Sequence, residues 1–132
     1  MKKALIWSDG ASSGNPGRAG IGGVVKIGEH TAEFSRCIGT TTNNVAEYSA
    51  LIEALEKAAE MGATTVEVHM DSELVVRQIN GRYAVRHENM KPLFEKAMKL
   101  LKSFDSWSVT HVRREQNKRA DALSKEAVKD PV

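Results

Sequence analysis

Apolar and polar positions change period several times along this chain, and each change marks an element. Residues 4–8, Ala4-Leu5-Ile6-Trp7-Ser8, form a short apolar run that closes on Asp9 and predicts a buried strand. The stretch 10–20 is rich in Gly, Ser, Asn and Pro and predicts a loop. Residues 21–27 predict a second strand, Gly28-Glu29-His30 a tight turn, and 31–38 a third strand. Such short connections imply antiparallel pairing. Tyr48, Leu51, Ile52, Leu55 and Ala59 recur at helical spacing and predict a helix over 46–61, stopped by Gly62. Val66, Val68 and Met70 alternate with polar residues as a fourth strand. A short helix is expected over 72–79, ended by Asn80-Gly81. An amphipathic helix over 89–104 carries Met90, Leu93, Phe94, Ala97, Leu101 and Phe104 on one stripe. A last strand over 107–112 and a last helix over 117–128 complete the pattern.

The order βββαβααβα indicates an α/β fold. Three antiparallel strands come first, and helical crossovers, right-handed in nearly all known cases, then add parallel neighbours. The expected result is a mixed five-stranded sheet of order 3-2-1-4-5, strand 2 antiparallel, with helices on both faces. No repeat, low-complexity tract or linker interrupts it, so residues 1–132 read as a single domain. A chain of this length buries roughly 68% of its unfolded surface and needs no staples. No run approaches the ~20 apolar residues of a membrane span. The first residues lack the longer apolar region and cleavage site of a signal peptide. Cys37 is the single cysteine, which leaves no intrachain disulfide and argues against a thiol zinc site. A cytoplasmic location is expected. Net charge is only +2, yet residues 1–71 carry 6 Lys/Arg against 9 Asp/Glu, and residues 72–132 carry 13 against 8. An acidic half beside a basic half suits metal binding next to phosphate binding, and equally an ordinary solvated surface.

Four carboxylates stand where elements begin or end. Asp9 closes the first strand on the face of Leu5 and Trp7, although Asp-Gly is also a common turn dipeptide. Glu47 shares a helix face with Leu51 and Leu55, and a carboxylate on an apolar face needs a partner, of which a metal is one. Asn44, three residues earlier, gives Glu47 the spacing of a capping box as well. Asp71 closes the fourth strand and is also placed to cap the next helix. Asp121 falls in the first turn of the last helix, after a capping Asn117, where the helix dipole favours an acid. Strands 1 and 4 should be central neighbours, and sites in open α/β sheets lie at carboxyl ends of strands. Four converging carboxylates would repel one another. Magnesium or manganese, which prefer oxygen ligands, offset that repulsion. Two such ions about 3.5–4 Å apart suit an in-line phosphoryl displacement.

The settings of these acids resemble the type 1 ribonuclease H family across nearly the whole chain. Asp9-Gly10-Ala11-Ser12-Ser13-Gly14-Asn15-Pro16-Gly17 is similar to its opening motif and Thr42-Asn43-Asn44-Val45-Ala46-Glu47 to its second. Met70-Asp71-Ser72 matches the third and Asn117-Lys118-Arg119-Ala120-Asp121 the fourth. The resemblance implies a ribonuclease H-like fold and an endonuclease that cuts the RNA strand of RNA–DNA hybrids to 5′-phosphate and 3′-hydroxyl ends. It implies Asp9, Glu47, Asp71 and Asp121 as catalytic and metal-binding residues for Mg2+ or Mn2+, two ions per site, in a monomer. Gly10, Ser12, Asn15, Asn43 and Asn44 become hybrid contacts, with the region Gly10–Ser12 and Glu47 near RNA 2′-hydroxyls. Thr42 and Asn89 resemble the family's DNA-phosphate pocket, although Thr40 stands where some members have arginine. Two departures stand out. Residues 81–88, with Arg82, Tyr83, Arg86 and His87, are shorter than the basic protrusion of some members. The segment Val112-Arg113-Arg114-Glu115-Gln116-Asn117 lacks the loop histidine of many members and carries Arg114 as in short-loop relatives; His111 reads as a structural strand residue. Two other readings remain open: an inactive domain that only holds hybrids or proteins, and a nuclease of the same superfold acting on DNA junctions or double-stranded RNA. Short-loop relatives also leave double-stranded RNA open as a second substrate of a hybrid-cutting enzyme.

Overall fold

The computed structural model describes residues 2–129; Met1 and residues 130–132, the ends of the expected 1–132 domain, lie outside them. Ten elements follow in order: β1 (Lys3–Gly14), β2 (Gly17–Ile27), β3 (His30–Thr41), α1 (Asn43–Glu60), β4 (Thr65–Met70), α2 (Glu73–Ile79), α3 (Lys91–Lys102), β5 (Ser106–His111), a 3-10 turn (Arg114–Gln116) and α4 (Lys118–Lys129). The strands form one sheet in the order β3-β2-β1-β4-β5, as expected from the alternation of elements. β1 pairs antiparallel with β2 and parallel with β4, and β4 pairs parallel with β5.

The stretch 10–20 is not a loop. β1 continues through Asp9 to Gly14, Asn15 and a cis Pro16 turn the chain, and β2 begins at Gly17. Asp9 therefore lies within β1, paired with Gly22. Glycine is a weak strand former, but here helices press against it, and tertiary packing overrides propensity. A Cβ on Gly10 would lie 2.3 Å from the Ala46 carbonyl carbon of α1. A Cβ on Gly22 would lie 2.4 Å from the Ser124 nitrogen of α4. Because side chains alternate across a strand, and Gly10 pairs with Ile21 next to the Asp9–Gly22 pair, α1 and α4 cover opposite faces of the sheet. α3 packs on α1, and α4 lies over β2, β1 and β3.

Most of the apolar core lies on the α1 side. Ile6, Val68, Leu51, Leu55, Val75 and Leu101 are fully buried there. Tyr48 donates to Gln78 Oε1 at 2.6 Å, tying α1 to α2 through a buried pair. Boundaries elsewhere also differ from the sequence expectation. β3 runs on to Thr41, past the expected end at 38. α3 starts at Lys91 with Pro92 in its first turn, which leaves Asn89 in the preceding turn. Phe104 is buried but lies past the end of α3.

Candidate active site

The parallel β1–β4 ladder ends at the pair Ser8–Met70. Asp9 and Asp71 each follow that pair by one residue, so two adjacent strands deliver two carboxylates side by side. Glu47 joins them from the second turn of α1. The absent side chain at Gly10 lets α1 approach, and Glu47 Oε1 accepts from the Gly10 N–H at 2.8 Å. Carboxylate oxygens of Asp9, Glu47 and Asp71 lie within 4.8 Å of one another. Glu47 thus takes no capping role: Thr42 caps α1, accepting from the Val45 N–H at 3.3 Å. Asp71 does not cap α2 either, because Ser72 does so through the Val75 N–H.

Asp121 approaches the cluster from α4 on the other face. Its oxygens lie 3.3 Å from the Arg114 guanidinium and 3.1 Å from Lys125 Nζ. The start of α4 is held over β1 by Asn117, whose side-chain N–H donates to the Ser8 carbonyl at 3.0 Å. The expected set of four therefore divides into a tight trio and a fourth acid already paired with cations.

The electrostatics follow that division. Asp9 is only 4% exposed and Glu47 8%. Burial first, then the Asp71 charge, pushes the Asp9 carboxyl up to about 8. Burial, with Asp9 and Asp71 adding to it, raises Glu47 well above the usual carboxylate range. Burial also pushes Asp121 upward, but Lys125, a hydrogen bond with Asp9 and Arg114 outweigh it and hold the group below its ordinary value. Three crowded acids, two buried and Asp71 half-buried, with little compensating charge fit a divalent cation, which takes hard oxygen ligands and lowers that repulsion.

These groups share the wall of an open cleft of about 950 Å³, with Gly10, Ser12, Asn43, Asn44, Asp121 and Arg114 around the trio. One rim is a hydrogen-bonded network. Asn43 Oδ1 accepts from the Ser12 N–H at 2.9 Å and hydroxyl at 2.7 Å, and Asn15 Oδ1 accepts from the Asn43 N–H at 3.1 Å. Asn15 and Thr42 support that rim from outside the cleft lining, and Asn89 is exposed in the turn before α3, also outside it. His111 is exposed at the end of β5 and lines the cleft. Sequence reading missed Lys125 and Lys129, which line the same cleft beside Arg113. Their signal was available in α4, where Lys125 and Lys129 follow Asp121 at spacings of four.

A family described as Reverse transcriptase-like matches residues 7–127. The chain is 47% identical over 126 residues to a protein named Ribonuclease HI from Halobacterium salinarum, covering 94% of this chain and 63% of that relative. It spans less than two thirds of that relative's length. A Ribonuclease H from Syntrophus aciditrophicus is 36% identical over 142 residues, with 96% of this chain and 81% of the relative covered. Among solved structures, LC11-RNase H1 in complex with an RNA/DNA hybrid superposes with a TM-score of 0.88 at 44% identity, covering 95% of this chain and 96% of that one.

Proposed function

We propose that this chain, which belongs to the type 1 ribonuclease H family, is a metal-dependent endonuclease that hydrolyses the RNA strand of RNA–DNA hybrids to 5′-phosphate and 3′-hydroxyl ends. One observation carries the reading: three carboxylates from β1, α1 and β4 place oxygens within 4.8 Å of one another in the wall of an open cleft. The solved relative in complex with an RNA/DNA hybrid supports the substrate class. A cytoplasmic monomer of one domain over residues 1–132 goes with this reading.

Asp9, Glu47 and Asp71 would hold one Mg2+ or Mn2+ ion, and Asp121 would extend the acidic set on the α4 side for a second. Such ions supply Lewis-acid polarisation of the phosphoryl group and acidify water at neutral pH. Glu47 also accepts from Gly10, which fixes the carboxylate and brings that stretch of backbone beside the trio. This is where RNA 2′-hydroxyls are read, with Gly10 and Ser12 on one side and Glu47 on the other. Asn43, braced by Ser12 and Asn15, and its neighbour Asn44 face the minor groove of the hybrid. The Thr42 hydroxyl uses its oxygen to cap α1 and keeps its proton for a DNA phosphate, with Asn89 as second donor. Arg114 pairs with a scissile or departing phosphate through its forked donors. It exchanges its partner Asp121 for that phosphate when the substrate arrives.

The test is a matched panel of labelled hybrid, duplex DNA, single-stranded RNA and double-stranded RNA, each with magnesium, manganese or chelator. Hybrid should be cut in its RNA strand with either metal and not in chelator. Double-stranded RNA, which also carries 2′-hydroxyls, should be cut more slowly. Duplex DNA cut as fast as hybrid would remove 2′-hydroxyl readout.

A further inference from the structure

Ser124 of α4 is fully buried, lies outside the four acids, and touches two of their residues. Its hydroxyl donates to Asp9 Oδ2 at 2.8 Å and lies 2.9 Å from the Asp121 carbonyl oxygen. A hydroxyl carries one proton, and the Asp9 carboxylate, ionised when a metal is bound, is then the stronger acceptor. The contact to Asp9 spans 115 residues of sequence and depends on how deeply α4 docks. β2 sets that depth. A Cβ on Gly20 would lie 2.6 Å from the Ser124 carbonyl oxygen, and one on Gly22 would lie 2.4 Å from the Ser124 nitrogen. Gly22 is the residue paired with Asp9, so the bare strand that admits α4 is also the one beside the carboxylate. Ser35 adds a clamp from β3, its hydroxyl donating to the Leu123 carbonyl at 2.7 Å.

We propose that Ser124 is a positioning residue for the reaction. Resting on the function proposed above, its hydroxyl fixes the rotation of the Asp9 carboxylate relative to Glu47 and Asp71, and couples that rotation to the helix that carries Asp121. Groups that orient a metal ligand typically change metal affinity or activity by about 10–100-fold when removed. A serine that merely fills space or binds its own helix carbonyl has no such effect.

Two readouts separate these roles. In Ser124→Ala, kcat on hybrid should fall about ten-fold while the hybrid KM stays within about two-fold, and half-activation should need more magnesium. Without substrate, the rise in Tm on adding manganese should be smaller than in the wild type. Ser124→Cys, similar in size with a weak donor, should fall between the two. Unchanged kcat, magnesium requirement and manganese shift in a folded Ser124→Ala would overturn the proposal. Should Ser124→Ala fail to fold, wild-type values in Ser124→Cys would overturn it instead. A wild type that binds manganese but cuts no hybrid contradicts the proposed function, and the manganese shift still decides the role of Ser124.

Discussion

Asp9 lies between β1 and α4 with its carboxyl held up at about 8, chiefly by burial and then by Asp71. A carboxyl raised in the folded state binds more protons there than in the unfolded chain. Stability of the metal-free protein should therefore fall as pH rises from about 4 towards 8. Glu47, raised in the same direction, adds to the trend. Thermal melts in chelator should show Tm falling across that window, and magnesium should restore it near pH 8. Asp9→Asn should flatten the slope and raise Tm in chelator, since it removes one repelling charge at a functional site. The same substitution, like Glu47→Gln, Asp71→Asn or Asp121→Asn, should lower hybrid turnover by orders of magnitude. A chelator melt with Tm rising steadily from pH 5 to 8 would contradict the assignment of repulsion to this cluster. Arg114, which pairs with Asp121, should matter more than His111, because a guanidinium suits a phosphate and cannot act as a base near neutral pH. Steady-state kinetics should show Arg114→Ala impaired more than His111→Ala; the reverse order would move the proton chemistry to the histidine. The convergence of Asp9, Glu47 and Asp71 was legible in the sequence because each sits in a local signal, although Asp9 lies within β1 and not at its end. Ser124 was not, since nothing within α4 announces a contact made to Asp9 on the sheet face it covers.

At the scale of elements, helical periodicity located α1 and α4 well, while the Gly-rich segment misled. Residues 10–20 have loop composition, yet Gly10, Gly20 and Gly22 are bare positions in strands where α1 and α4 press against the backbone. Loop and close-packed strand use the same residue for different reasons, and only the packing partner tells them apart. Helix caps show a related limit. The Asn44–Glu47 spacing matches a capping box, but Thr42 caps α1 and leaves Glu47 to accept from Gly10 of β1. Gly22→Ala should push α4 from β2 and cost about 1–3 kcal/mol, as over-packing a tight contact does. It should also lower hybrid turnover through misplacement of Asp121 and Ser124. Denaturant unfolding together with kinetics checks this; a variant as stable and active as the wild type would show that the contact relaxes freely.

Over the whole molecule the charge asymmetry of the sequence acquires a place. Asp9, Glu47 and Asp71 come from the acidic half, and Arg113, Arg114, Lys125 and Lys129 on the same cleft come from the basic half. An acidic floor under a basic rim suits metal ions beneath a phosphate backbone. Hybrid binding measured in calcium, which should support binding but little cleavage, should weaken linearly in log salt, by about 0.7–0.9 log units per decade for each phosphate neutralised. Arg114→Ala should flatten that slope by roughly one phosphate. The central claim is that the trio of carboxylates, with bound metal, cuts the RNA strand of a hybrid. Single-turnover cleavage of an end-labelled hybrid by wild type and by Asp71→Asn, in magnesium and with product ends identified, tests it most directly. The account predicts RNA-strand cuts with 5′-phosphate and 3′-hydroxyl ends for the wild type and a loss of several orders of magnitude for a folded Asp71→Asn. Near-normal cutting by Asp71→Asn, or wild-type cleavage that persists in chelator, would contradict it.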